Sequence, residues 1–425
     1  MDTSPITITV LNRINAEMVL EDNPMFELVE EKTGVKLEVD APPISNYTDR
    51  LQLVMASGDI PDIIYTWGFN QNYEKWAEDG MLRPVYEAAQ DYPNLMTNIS
   101  EDQWNAARVG ATGKIHAVPR THHYPTWGVI VNEKWLDTLD QEWPETTDEL
   151  MEYGRRVISE DPDGNGKDDT FLVSPVGLWT DCWIVFAFMP FSTQHRAPYL
   201  PDRDGEYKLK EKMSGYMPYL DYMREMYAEG IMDPEWFTNK YYDDRTKFKQ
   251  QRVATCHGDV YTGSGFGYGE VEDSLNTFGF RPALVQEKGE KPVNEAGAAT
   301  WGGWMVNADI DDYTFDRVMG FLDWGNSKEG FITIGAGVQG LDYESYDFDK
   351  RELIVLEEQR DNRSRDTSVY MNIANAYDNK LLSFSGDPEI NEITAKNFDQ
   401  FMEEVEQLQI PTVNCPEIDN WAAEY

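Results

Sequence analysis

Cysteine is scarce in this sequence: Cys182, Cys256 and Cys415 are the only three in 425 residues. An odd and widely scattered set fits neither a disulfide framework nor a paired-cysteine zinc site, and reads as packed thiols. Histidine is nearly as rare, with five residues and no HExxH pair, and no serine stands in a GxSxG context, so the common hydrolase signatures are missing. Basic residues are outnumbered, with 36 Lys plus Arg against 77 Asp plus Glu and a formal charge of −41. Such a surface repels phosphate backbones and anionic lipid, which excludes nucleic acid as a partner and reads as a solvated, solubilising exterior suited to a salty habitat. No apolar run approaches the roughly 18 residues of a membrane span. The start MDTSPITITV has neither the basic nor the apolar region of a secretory signal. A polar stub of this kind fits a chain whose signal segment has been replaced by an initiator Met, and a cytosolic start equally well.

Aromatic residues, by contrast, make up 13% of the chain, with 13 Trp and 23 Tyr. That content describes a globular protein, and the length suits two or three domains or two large lobes. Ile6–Leu11 alternates β-branched and polar residues and predicts a first strand. A helix follows, with Asn23 as N-cap, Pro24 in its first turn and an end near Lys32, before Gly34. Val35–Asp40 reads as a strand, Tyr47–Ala56 as a helix, and Ile63–Thr66 as a strand after the turn SGDIPD. This alternation opens an α/β sheet. Beyond it come a helix at Tyr73–Glu78, a helical stretch from Val85, an edge strand in GKIHAVP, and a strand at Trp127–Asn132. A helix capped by Thr147 then begins. Helices dominate from Trp183 to Phe237 and from Thr314 to Ser327, with buried strands at Arg252–Thr255 and Gly303–Val306. No Pro/Gly/Ser-rich seam divides the chain, so the two lobes are expected to share crossing segments.

The sharpest local pattern is Asp161-Pro-Asp163-Gly-Asn165-Gly-Lys167-Asp168-Asp169. Side-chain oxygens at Asp161, Asp163, Asn165 and Asp169, with the Lys167 carbonyl, supply the alternating oxygen ligands that a hard cation needs. The twelfth position of an EF-hand-like loop is Leu172, so the bidentate carboxylate is missing. The residues alone leave two readings, a calcium loop and an Asp/Gly-rich turn that binds nothing.

Several segments together resemble the extracellular solute-binding proteins, family 1, in particular the long lipoprotein-type members serving oligosaccharide ABC importers. They are MASGDIPDII, GKIHAVPR, WGVIVNEKWLDTL, PETTDEL, DPDGNGKDD, GIMDPEWF and the stretch from FLDWGNSKEGF through GVQGLDY. The resemblance implies an α/β, two-lobed periplasmic-binding-protein-like fold of type II, with a multi-segment hinge and a ligand cleft between the lobes. It implies an N-terminal lobe of residues 1–130 plus about 307–362, and a C-terminal lobe of 131–306 plus about 363–425. It also tips the acidic loop towards a structural Ca2+. The implied partners are an oligosaccharide and the ABC permease subunits; the implied setting is a monomer outside the cell or in the periplasm, tied to the membrane only by a lipid anchor that this chain does not carry. Gln339 stands where many relatives carry an acidic residue, which puts a ligand role for that loop in doubt.

A sugar ring offers apolar C–H faces and a rim of hydroxyls, so its binder needs aromatic platforms and planar polar groups. Candidates beside turns and predicted strand ends are Trp67, Asn70, Arg120, His122, His123, Trp127, Trp179, Asp181, Trp183, Asp259, Tyr261, Trp301 and Trp304. RTHHYPTW, from Arg120 to Trp127, is the densest cluster. Its two adjacent histidines point apart in an extended chain, which favours sugar contact over chelation of one metal. Arg120, His195 and Arg196 leave an acidic oligosaccharide open beside the neutral default. The rival readings are a glycoside hydrolase, which needs two carboxylates across one bond, and a carbohydrate-binding surface protein without a transport role.

Overall fold

The computed structural model describes residues 2–13, 24–42, 44–121, 127–176, 182–190, 199–239, 243–259, 277–281, 284–296, 300–347, 352–356 and 388–409. The chain forms two compact units: Met1–His123 with Ala298–Pro388 and Pro411–Tyr425, and Tyr124–Gly297 with Glu389–Ile410.

The first unit grows from β1 (Ile6–Leu11), α1 (Pro24–Thr33), β2 (Val35–Asp40), α2 (Ile44–Ser57), β3 (Ile63–Trp67) and α3 (Gln71–Glu78). β1 pairs in parallel with β2 on one side and β3 on the other, so successive crossovers leave β1 in opposite directions. The strand Thr300–Val306 then runs antiparallel to β3, and β4 (Ala117–Thr121) closes the sheet as its far edge. Ile63, Ile64 and Tyr65 are all fully buried, as expected of a central strand covered on both faces. Asp62 locks β3 to β1: its carboxylate accepts from the Thr9 N–H at 2.7 Å and the Thr9 hydroxyl at 2.8 Å. That clamp explains the acid of the SGDIPD turn.

The strand Thr300–Val306 fits between β3 and β4 only because of Gly302. Its φ is +128°, and a Cβ there would lie 1.9 Å from the Thr66 carbonyl oxygen. The sequence reading began this strand at Gly303; it starts three residues earlier, and it belongs to the first unit's sheet. Residues 300–306 therefore lie in the first unit rather than in a second lobe reaching to 306.

In the second unit, β5 (Trp127–Asn132) is the middle strand of three, flanked antiparallel by Thr255–Asp259 and Phe278–Arg281. The flanking strand lies three residues beyond the predicted Arg252–Thr255. Helix Thr147–Ser159 is capped by Thr146, one residue ahead of the expected Thr147, because the Thr146 hydroxyl sits where it accepts the Glu149 N–H. Within the expected helical region, Tyr199–Pro201 and Tyr207–Leu209 form a hairpin instead. Its turn is held by Asp202, which accepts from Lys208 at 2.9 Å and from the Ser214 N–H at 3.0 Å.

Candidate functional site

In an open α/β sheet, ligands bind beyond the carboxyl ends of the strands, at the point where the strand order reverses. In the first unit that point lies between β1 and β3. Trp67 ends β3 there and is 41% exposed although it follows four buried residues. Arg13, two residues past β1, lays its guanidinium on the indole, with Cζ 3.8 Å from the ring centroid and 5.7 Å from that of Tyr65. Its Nε is buried with no hydrogen-bond partner. Burial lowers the Arg13 pKa; Tyr65 opposes that shift, and the positive charge of Arg120 adds to it.

The platform under this pair is rigid. The Tyr47 hydroxyl donates to the Tyr65 carbonyl. Tyr65 meets Trp304 edge to face at 5.6 Å, and the two are register partners across the strands. Arg120 is half-buried in β4, and its carbonyl accepts from the Thr300 hydroxyl at 2.6 Å. Asn70 is exposed, but its amide oxygen caps α3 by accepting from the Asn72 and Tyr73 N–H groups. Only its NH2 is left for another partner.

Two expected sugar contacts are corrected by burial. Trp304 is 1% exposed beneath Tyr65, and Trp183 is 0% exposed in the core of the second unit, 6.2 Å from Trp143. Both are packing residues, because an indole with no free face offers no platform to a sugar. Trp127 and Asp259 are paired strand-end residues in the second unit, and Trp301 lies in the strand Thr300–Val306 of the first. His122, His123, Trp179, Asp181 and Tyr261 lie outside the described residues, as do His195 and Arg196. Arg13 escaped the sequence reading. The signal that could have found it was its place two residues beyond the first parallel strand.

The second unit carries a buried polar knot that was also missed. Lys247 donates to Asp233 and to Asn239 at 2.6 Å each, and Ser174 donates to the same Asp233 oxygen at 2.6 Å. Burial opposes ionisation of Asp233, yet the bonds from Lys247 and Ser174 hold its carboxyl below the ordinary pKa. Asn239 also donates to the Pro175 carbonyl at 2.8 Å. The knot thus anchors Ser174–Pro175, shortly ahead in sequence of Trp179 and Asp181.

The acidic turn follows helix Thr147–Ser159 directly, tied to it by the Thr170 hydroxyl donating to the Val157 carbonyl at 2.8 Å. Gly164 and Gly166 have φ of +70° and +77° in open space, so backbone conformation rather than room calls for glycine. Asp161 accepts the Gly166 N–H at 2.9 Å, while its other oxygen is buried without a partner. The Asn165 amide donates to Asp163 at 2.6 Å and to Asp169 at 3.0 Å. Backbone N–H bonds, that of Gly166 foremost, lower the Asp161 pKa, whereas burial and then Asp161 raise that of Asp163. Two carboxyls in contact need a proton or a cation between them. As the side chains stand, no group of three or more His, Cys, Asp or Glu among the described residues is arranged to hold a metal ion. The Asn165 amide bridges Asp163 and Asp169 by hydrogen bonds. Leu172, the would-be twelfth ligand, is fully buried in the second unit's core.

Comparison with known proteins agrees with this architecture. Residues 17–195 match the family described as bacterial extracellular solute-binding protein. Lipoprotein LipO of Bacillus subtilis is 24% identical over 350 residues, 79% of this chain and 66% of LipO, so the chain spans just under two thirds of that relative. The polygalacturonan/rhamnogalacturonan-binding protein YtcQ of the same organism is 23% identical over 372 residues, 85% of this chain and 71% of YtcQ. Among solved structures, the Streptococcus pneumoniae ABC-transporter substrate-binding protein FusA in complex with kestose superposes with a TM-score of 0.69 at 17% identity, covering 94% of this chain and 84% of FusA. An EF-hand mutant of FusA gives a TM-score of 0.67. Both YtcQ and FusA are named for binding, not for catalysis. The mixed α/β units and the sheet reversing at β1 agree with these likenesses, and over residues 17–195 the chain is similar to the bacterial extracellular solute-binding proteins.

Proposed function

We propose that this protein captures an oligosaccharide outside the cell and delivers it, chemically unchanged, to the permease of an ABC importer. One observation carries the reading: an exposed indole, Trp67, stands on a rigid aromatic base at the switch point of the first unit's sheet, where ligands of open α/β folds bind. The ring supplies a platform for a sugar face, and Arg13, Arg120 and the Asn70 NH2 supply donors for its hydroxyl rim. Trp127, Asp259 and Trp301 are the further contacts proposed from strand positions. The protein acts as a monomer, held at the cell surface by a lipid anchor of the kind that LipO's name indicates for that protein.

The acidic turn binds Ca2+ in this reading, and the contact between Asp161 and Asp163 supports it. Asp161, Asp163, Asp169, the Asn165 amide oxygen and the Lys167 carbonyl would hold the ion. Calcium would supply the counter-charge that the neutral Asn165 amide cannot, and its role would be structural.

Calorimetry of the full chain against neutral and uronic oligosaccharides, with chromatography of the same mixtures, tests the proposal. Binding without new products is expected. Cleavage of any bound sugar would make the protein a hydrolase, and binding of none would remove the capture role.

A further inference from the structure

We infer that the outer edge of β2 is a self-pairing surface: β2 of one copy pairs antiparallel with β2 of a second copy, in the register that sets Lys36 of each against Glu38 of the other. This goes beyond the capture reading, in which the single chain remains the sugar-binding unit.

β2 is the outermost strand of the first unit's five-stranded sheet, with β1 on its inner side. Its parallel ladder to β1 uses alternate residues. The Ile6 N–H donates to the Gly34 carbonyl at 2.9 Å and the Asn12 N–H to the Asp40 carbonyl at 3.0 Å, so in this register the backbone groups of Lys36 and Glu38 also face β1. Those of Val35, Leu37 and Val39 therefore face outward. The Val35 N–H donates locally, to the Thr33 hydroxyl at 3.1 Å, while the Leu37 and Val39 backbone groups have no partner among the described residues. Such an edge is a template for another strand. A groove of about 390 Å3 opens beside it, lined by Phe26, Glu27, Glu30, Lys36, Leu37 and Val39.

The sequence of β2 chooses the occupant. Lys36 and Glu38 are exposed on one face of the strand, and Val35 and Leu37 are buried on the other. For the outward groups of two copies to bond, an antiparallel pairing must set odd-numbered residues against odd-numbered ones. Centred on Leu37, it sets Leu37 against Leu37, Val35 against Val39, and Lys36 against Glu38 twice. These charged pairs fall at the non-hydrogen-bonded positions, where opposed side chains approach most closely. A slip of two residues one way sets Lys36 against Lys36. The opposite slip sets Glu38 against Glu38, and the Asp40 that then faces Lys36 is already held by Arg50 at 2.5 Å. Like charges directly opposed are unfavourable. A lysine in an edge strand ordinarily guards it against pairing. Here the acid two residues later makes that lysine select one register. About four backbone hydrogen bonds result, between the two Leu37 residues and from each Val39 N–H to a Val35 carbonyl, with the Val35 N–H staying on Thr33.

Two six-residue strands make a small interface, and each copy carries a charge of −41, so the pairing is weak and belongs to crowded copies, as on a shared surface. Repulsion between charges more than about 8 Å apart is largely screened at physiological salt.

Sedimentation equilibrium of the full chain up to about 2 mM, at physiological salt, tests the inference. The native chain is expected to dimerise with a Kd of about 0.1–1 mM. Lys36→Glu and Glu38→Lys are each expected to weaken dimerisation about 10-fold, and the chain carrying both exchanges to return within about 3-fold of native. Both positions are exposed, so the variants are expected to keep the fold, checked by circular dichroism and thermal unfolding. If one single exchange fails to fold, the native protein and the other exchange decide. The two single exchanges separate register from overall charge, because Lys36→Glu makes the chain more negative and Glu38→Lys makes it less so. A Glu38→Lys chain that dimerises more tightly than native would show that net repulsion governs, and would overturn the inference. A native chain that stays monomeric at about 2 mM, or a double exchange as weak as the single ones, would overturn it as well.

Discussion

The carboxyl edge of β1 and β3 and the acidic turn at residues 161–169 are both candidate binding regions, built in opposite ways. The edge collects Arg13, Trp67 and Arg120 from three segments distant in sequence, and the strand order of the sheet brings them to one edge. The turn is nine consecutive residues whose oxygens are brought together by two positive-φ glycines. A local site can be read from spacing because the backbone conformations it needs are written in adjacent residues. A site assembled across strands cannot, since strand order and register decide which side chains meet. The same contrast divides the tryptophans. Trp67 and Trp304 lie on paired strands, yet one is 41% exposed and the other 1%, because Trp67 is the last residue of its strand and Trp304 faces Tyr65 inside the sheet.

The largest expected effect sharpens that contrast. Trp304→Ala should destabilise the first unit by about 3–5 kcal/mol, as large-to-small changes at buried indoles do, read by urea unfolding. Trp67→Ala should leave stability within about 1 kcal/mol but weaken sugar binding by about 2 kcal/mol, roughly 30-fold, in calorimetry. If both variants lost stability equally, the distinction between platform and core would collapse. In the acidic turn, added Ca2+ should raise the thermal midpoint of the native protein by a few degrees and leave Asp161→Asn unmoved. An unchanged midpoint for the native protein would leave the turn a plain surface loop.

A smaller effect is expected with pH. His257, in the second unit's flanking strand, has its pKa pushed down to about 3 by burial first and by Arg245 second. The unfolded chain takes up a proton near pH 6.5 that the folded protein refuses, so stability falls as pH drops from about 6.5 towards about 3. The expected loss is about 1 kcal/mol by pH 5.5, and His257→Asn should flatten it in urea titrations. His116 is also lowered by burial, so part of the slope should persist.

Much of the fold was legible because its signals are local. β1, β2 and β5 start and end where alternation predicts, and Pro24 opens α1 as expected. The misreadings occurred where tertiary pairing decides. The strand Thr255–Asp259 lies past its predicted position because its partner β5 sets the register, and the hairpin around Asp202 replaces expected helix because a buried carboxylate organises its turn. Trp183 looked like a cleft residue from its neighbourhood of Trp and Asp, but the core of the second unit closes over it.

By itself, the sequence determined the α/β alternation, the glycine-dependent acidic turn, the large acid excess and the family resemblance; each rests on residue type and short spacing. Only the tertiary structure decided that Trp67 is open while Trp304 and Trp183 are not, and that Arg13 lies on Trp67. The physical reason is that burial and stacking depend on strand order, register and strand end, which emerge only when distant segments pack.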